Sequence, residues 1–224
     1  MLGWILDVVG PLKARFDNAR LVRRWAKLRA AGLHIGQGVN LPASTWIDTT
    51  HCFLISIGDW CGFGEQCLIL AHDAQMDEFL DVGQIGKVTI HHSCHFGSRT
   101  VILPGVEIGP RTIVGANSVV SNSLAPDTVC AGVPAKVICS LDEYLTRHRE
   151  RLAKARLFPW SEYNSEALTP QRRQEILAAL AAGPAYLTGG FSLELQGLGG
   201  TRRTPHDETA QPYGIQFLRD RRNL

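Results

Sequence analysis

Side chains able to do chemistry gather at three places in this 224-residue chain. Asp48 and His51 fall together in Ile47-Asp-Thr-Thr-His-Cys52. His72 and Asp73 follow in Leu70-Ala-His-Asp-Ala74, and the densest group is His91-His-Ser-Cys-His95. A neutral imidazole, with a reference pKa of about 6.5, is suited to take a hydroxyl proton near neutral pH. Three histidines and a cysteine within five residues also raise the question of a metal, although their spacing matches no zinc signature. Taken singly, a histidine in a loop is solvated surface. The elements that carry these residues therefore decide what they can do.

Those elements follow a repeat of six. Ile90, Phe96, Ile102, Ile108, Val114 and Val120 open successive hexads, and a small or compact residue sits four places on at Cys94, Thr100, Val106, Thr112 and Ser118. A helix would space apolar residues by three and four, and a half-buried strand by two. Six suits one short strand and its corner. The opener points inward, the residue four later fills space beside the next corner, and Gly97, Gly109 and Gly115 ease a tight bend. Three such faces close a triangular coil of about eighteen residues, and coils stack about 4.8 Å apart. The expected fold is an all-β solenoid: a left-handed parallel β-helix of hexapeptide repeats with flanking N- and C-terminal α-helices. Its hand departs from the usual right-handed crossover.

In that frame Cys94 points into the core while His91, His92 and His95 face outward, so no metal is expected. Cys61 and Cys67 hold the same inward place after Ile57 and Phe63. The six cysteines thus read as reduced packing groups of a cytoplasmic protein rather than a disulfide framework. A net charge of +2 with no basic face argues against nucleic acid. No apolar run reaches membrane-span length. The first residues lack the basic region and cleavage site of a signal peptide.

Five segments follow. Residues 1–32 read as a helix broken at Gly10-Pro11, basic on one face; packing on the solenoid is the plainer role, and membrane contact through Trp4 and Trp25 the lesser one. Residues 33–139 are the solenoid. Its hexads run from Ile35 through Leu41 and Ile47, slip at Phe53 and resume at Ile57, implying an extra residue or two at one corner. Residues 71–87 lose the repeat and carry four acids, as an extruded lid or binding wall would. Residues 140–183 hold two helices, one opened by a Ser140–Glu143 capping box and running to about Leu157, the other from Thr169-Pro170 to Ala182. Residues 184–224 form an extension with short candidate strands near Phe191–Leu195 and Ile215–Leu218.

The run from Ile102 to Ile138, above all Gly115-Ala-Asn-Ser-Val-Val120 and Ala131-Gly-Val-Pro-Ala-Lys-Val-Ile138, resembles the end of a hexapeptide-repeat acyltransferase. The likeness is to the galactoside, maltose and xenobiotic O-acetyltransferase branch, and it covers about Ile35 to Ile138. It implies a homotrimer that binds acetyl-coenzyme A in a groove between neighbouring solenoids. It places His72 as the general base for direct attack of a hydroxyl on the thioester, with a backbone N–H near Ser98 for the oxyanion. The coenzyme groove would use Ser98, Ala116, Ser121, Asn122 and Lys136, the lysine facing phosphate.

This chain departs from the family at His95, where a Trp is usual. Asp48 and His51 stand near the acceptor pocket of related enzymes. His51 precedes Gly58 by seven residues, as a histidine does in the serine acetyltransferase branch, which makes it a second candidate for acceptor contact or base. Asp73 is a candidate to orient His72, and Trp46 or Trp60 could offer a sugar ring a platform. The expected activity is acetyl-coenzyme A-dependent O-acetylation of a saccharide hydroxyl. N-acylation of an amino-sugar and a non-catalytic interaction platform are the alternatives.

Overall fold

Each hexad becomes a strand of two or three residues and a corner. This is the arrangement in a computed structural model that describes residues 20–165 and 167–189. The first coil contributes β1 (His34–Ile35) and β2 (Trp46–Ile47), and the second β3 (Ile55–Ile57), β4 (Gly62–Phe63) and β5 (Leu68–Ile69). A hairpin of β6 (His72–Asp73) and β7 (Gln84–Ile85) then leaves the coil. The third coil holds β8 (Val88–Ile90), β9 (His95–Phe96) and β10 (Val101–Ile102), and the fourth β11 (Glu107–Ile108), β12 (Ile113–Val114) and β13 (Val119–Val120). β14 (Thr128–Ala131) and β15 (Lys136–Ser140) close the stack.

Three sheets result. Face one is β1-β3-β8-β11, face two β4-β9-β12-β14-β15, and face three β2-β5-β10-β13. Strands pair in parallel across successive coils with openers in register, as in Ile57 on Ile90 and Ile69 on Ile102. All the openers from Ile90 to Val120 are buried. Phe63 and Phe96 stack with ring centroids 4.6 Å apart.

The place four after the opener does more than fill space. Thr100 Oγ1 donates to the Gly97 carbonyl at 2.7 Å, Thr112 Oγ1 to Gly109 at 2.8 Å and Ser118 Oγ to Gly115 at 2.7 Å. The thiol of Cys94 reaches the Gly109 carbonyl of the next coil at 3.2 Å. A compact donor there satisfies corner carbonyls that the short strands leave buried and unpaired. Cys52, Cys61, Cys67, Cys94 and Cys130 are free, buried thiols.

The corner glycines act differently from the sequence expectation. Gly97 is not at positive φ; the bend falls at Ser93, Arg99, Gly105, Arg111 and Asn117, every sixth residue, all left-handed. Gly97 is required by proximity, because a Cβ there would lie 2.3 Å from the backbone nitrogen of Ala116 in the next coil.

Two insertions interrupt the repeat, and both leave at the corner between faces three and one. Ile47 and Ile57 are ten residues apart instead of six, so four extra residues are present where one or two were expected. They form a 3-10 turn at Cys52–Leu54. One coil on, the 71–87 segment is an ordered hairpin with a one-turn helix at its tip, not an irregular loop. β6 and β7 pair antiparallel, His72 opposite Ile85.

A helix over residues 20–30, α1, precedes β1 and buries Trp25 and Leu28. Arg24 donates to the carbonyls of Ala43 and Thr45 at 2.9 and 2.8 Å. The chain divides into two compact units between Cys139 and Ser140. In the second unit, α2 being the hairpin turn at Asp77–Leu80, α3 (Leu141–Lys154) starts from a Ser140–Glu143 capping box. It ends three residues before the expected Leu157, where the chain turns into β16 (Arg156–Pro159). α4 (Trp160–Tyr163), α5 (Pro170–Ala182) and β17 (Ala185–Thr188) follow, and β16 pairs in parallel with β17. The candidate strands near Phe191–Leu195 and Ile215–Leu218 lie outside the described residues, as do residues 1–19. No helix among the described residues is long and apolar enough to cross a membrane.

Candidate functional site

The two insertions leave successive coils at one corner, and they bring Asp48, His51 and His72 together. Asp48 follows β2 and is fully buried. Its Oδ1 accepts the backbone N–H groups of Thr50 at 2.9 Å and His51 at 3.0 Å, folding the chain into the 3-10 turn. Its Oδ2 accepts from the Ala71 N–H at 3.3 Å and from His72 Nδ1 in a short contact. Burial opposes the Asp48 charge. The His72 hydrogen bond and the N–H groups of His51 and Thr50 outweigh it, and hold the carboxyl below its ordinary value.

The consequence for His72 is a fixed tautomer. A proton on Nδ1, given to Asp48, leaves the Nε2 lone pair free to accept. The His72 side chain remains about a third exposed, at 37%, so that lone pair is reachable. A buried carboxylate beside a partly exposed imidazole is an arrangement that general-base chemistry can use.

His51 stands beside this pair. Its ring centroid lies 4.7 Å from that of His72, and its Nδ1 is 3.7 Å from Asp48 Oδ2. That Nδ1 is buried and makes no hydrogen bond. Asp48, His51 and His72 bring three donor atoms within 4.8 Å of one another.

Two assignments from sequence change. Asp48 has no oxygen to spare for an acceptor, because both are taken up inside the corner; it orients His72. Asp73 does not orient His72. Successive side chains on β6 point to opposite sides, and Asp73 Oδ1 accepts the Gln75 N–H at 2.9 Å within the hairpin.

The expected coenzyme residues divide between two edges. Ser98 and Ala116 lie at the corner between faces two and three, where Asn117 N–H donates to the Ser98 carbonyl at 2.9 Å. Both are exposed, in a column with Gly64 below Ser98 and Ala131 above Gly115. Lys136, exposed, begins β15 beside β14 at the end of face two. Ser121 and Asn122 follow β13, on the same edge as His72 but two coils on, about 10 Å at the sheet spacing. Face three therefore separates Ser98 and Ala116 from His72 within one chain. His95 sits on face two above Gly62, apart from the Asp48 corner, and burial lowers its pKa. His91 Nε2 bonds Glu107 Oε1 at 2.7 Å while His92 Nδ1 meets Ser93 Oγ at 3.3 Å, so that run of histidines does not converge.

The bacterial transferase hexapeptide family (six repeats) matches residues 87–122. YvoF of Bacillus subtilis (strain 168), classed among acetyltransferases, is 28% identical over 142 residues, which are 63% of this chain and 78% of YvoF. The galactoside O-acetyltransferase of Escherichia coli (strain K12) is 41% identical over 56 residues, 25% of this chain and 28% of that enzyme. The chain thus carries a hexapeptide-repeat match over residues 87–122 and is similar to acetyltransferases. It spans most of YvoF but little over a quarter of the galactoside enzyme. A solved hexapeptide-repeat acetyltransferase of Vibrio cholerae, crystallised with acetyl coenzyme A, is 22% identical with a TM-score of 0.42, covering 57% of this chain and 86% of that one.

The hexapeptide repeat sets the frame, and the two departures from its regular coil bring Asp48, His51 and His72 to one corner. Sequence reasoning singled out His72 and His51 but did not foresee that Asp48 lies between the coil breaks and contacts both. The signal was available: two breaks in the repeat, one coil apart, must leave from the same edge.

Proposed function

We propose that this chain is the subunit of an acetyl-coenzyme A-dependent O-acetyltransferase that acts on a saccharide hydroxyl. The observation that carries the reading is the Asp48–His72 pair, an imidazole oriented by a buried carboxylate and open at Nε2. In the reaction, Nε2 takes the proton of the acceptor hydroxyl as its oxygen attacks the thioester carbonyl. The oxyanion is met by a backbone N–H in the Ser98 column, and the coenzyme thiolate leaves and regains a proton from the imidazolium. No acyl-enzyme is formed.

The active particle in this reading is a homotrimer of left-handed solenoids. Its outward ladder on face three is apolar: Trp46, Leu68, Val101 and Val119 stand in register, with Trp46 43% exposed. Face one instead presents His34, Ser56, Thr89 and Glu107. Packing face three against neighbours brings the Ser98–Ala116 edge of one subunit to the His72 edge of the next. The hairpin adds Phe79, Leu80 and Ile85, all exposed, for a neighbour to cover. Ser121, Asn122 and Lys136 complete the coenzyme groove, and His51 borders the acceptor. Free, buried thiols fit a cytoplasmic setting. The galactoside O-acetyltransferase relative supports a saccharide acceptor.

The test is a thiol-release assay with acetyl-coenzyme A across acceptors bearing only hydroxyls and acceptors bearing a free amine, beside calorimetry with coenzyme A. Release that depends on a hydroxyl-only sugar is expected. Absence of coenzyme A binding would remove the enzymatic reading, and transfer confined to amines would move it to N-acylation.

A further inference from the structure

The corner that holds His72 contains one polar atom without a use in the proposed reaction: His51 Nδ1, buried and without a hydrogen bond. It is directed at Asp48 Oδ2, 3.7 Å away, too far to bond and too close to be indifferent. The same oxygen is also in contact with His72 Nδ1, and the two rings lie with centroids 4.7 Å apart. Two imidazole nitrogens thus approach one carboxylate oxygen, and Asp48, His51 and His72 can each offer a ligand atom within 4.8 Å of the others. Zinc bound by nitrogen and oxygen at about 2.0–2.2 Å in a tetrahedron holds its ligand atoms roughly 3.3 Å apart. The His51 to Asp48 distance is already near that value, and rotation of the partly exposed His72 ring opens the remaining contact. The His51 and His72 side chains are 27% and 37% exposed although the Asp48 carboxylate and His51 Nδ1 are buried, so an ion would reach the site past the two rings.

We propose that Asp48 Oδ2, His51 Nδ1 and His72 Nδ1 form a binding site for a divalent transition metal of the zinc type, and that occupancy switches the base off. The donor set, two imidazoles and one carboxylate, suits zinc and cobalt(II) and is too poor in oxygen for magnesium or calcium. The proton balance gives the inhibition. In the metal-free state His72 carries its proton on Nδ1 and its lone pair on Nε2. The metal takes the Nδ1 lone pair of the neutral ring, so the proton passes to Nε2. No net proton is released, and Nε2 can no longer accept one from a hydroxyl. The inhibition rests on His72 being the base; the binding does not.

The test uses the full, tag-free chain stripped with chelator. Cobalt(II) titration is expected to saturate at one ion per chain with the visible absorption of a low-coordinate site, displaced by zinc. His51→Ala and Asp48→Asn should each weaken cobalt binding at least about tenfold, the range for loss of a ligand or its support. The double replacement of His91 and His92 by Ala, in the other histidine cluster, should leave binding as it was. Circular dichroism identifies a variant that has failed to fold, and the partly exposed His51 carries the conclusion if Asp48→Asn is unstable. Absence of the cobalt signal, its persistence in folded His51→Ala, or its loss in the His91/His92 variant would overturn the site. In parallel, zinc should inhibit thiol release with the midpoint of cobalt displacement and be reversed by chelator. Metal bound at the corner with turnover unaffected would leave the site standing and remove His72 as the base.

Discussion

Replacing Asp48 with Asn changes one atom and exposes what the carboxylate does. Asp48 takes four donors: Thr50 and His51 N–H on Oδ1, Ala71 N–H and His72 Nδ1 on Oδ2. An amide has one acceptor oxygen. Turned to keep the Thr50 and His51 bonds, it sets its NH2 group against the Ala71 N–H and His72. The Ala71 donor is then buried and unpaired, at a cost of about 1–3 kcal/mol. For a chain of this size that lowers Tm by roughly 2–4 °C per kcal/mol. The second consequence is chemical. Facing a donor, His72 presents its Nδ1 lone pair, and the proton moves to Nε2, where it blocks hydroxyl deprotonation. Turnover should fall by the ~10²–10⁴-fold that loss of a general base entails. The assay is thiol release at saturating acceptor, with melting followed by circular dichroism. The KM for acetyl-coenzyme A should hold, because the Ser98 column lies on another edge. A folded variant with wild-type kcat would refute the orienting role, and a loss confined to KM would place Asp48 in binding instead.

Gly97→Ala should destabilise the solenoid, since its methyl would lie 2.3 Å from Ala116 N and neither backbone can retreat without breaking coil pairing; a lowered urea midpoint checks this. The Asp48 carboxyl is held below its ordinary value, so its contribution to stability is complete above the unfolded value of about pH 3.9 and lost as pH falls through the folded one. The Tm gap between wild type and Asp48→Asn should therefore be full at neutral pH and close in acid. A gap that widens in acid would reverse that sign. Lys136→Glu should raise the KM for acetyl-coenzyme A with kcat little changed, measured by the same thiol-release assay, because the proposed groove sets that charge against phosphate and not the reacting atoms.

What the sequence discloses follows the periodicity. The hexads show directly which residues face inward, because a side chain every sixth place can share one core only in a coil, and Ile90 through Val120 are buried accordingly. The reason for Gly97 was not legible: contact with the next coil is a three-dimensional fact that a glycine next to an apolar residue does not announce. Nor was the hydrogen-bonding role of Thr100, Thr112 and Ser118, which pattern alone reads as smallness. Asp48 was picked out for acceptor contact, whereas the structure engages both of its oxygens within the corner. Its isolation from Asp73-like neighbours in sequence hides that it and His72, 24 residues apart, leave adjacent strands at one corner. Residues 71–87 lost the repeat and looked irregular, yet the short β6–β7 pairing needs only two residues a side and leaves little trace in composition.

The account turns on whether Nε2 of His72 takes the acceptor proton. The most direct measurement is kcat for thiol release by His72→Ala, paired with the calorimetric affinity of that variant for coenzyme A. A fall in kcat of ~10²–10⁴-fold at unchanged coenzyme affinity is the predicted result. Turnover at the wild-type level would contradict it and pass the role to His51.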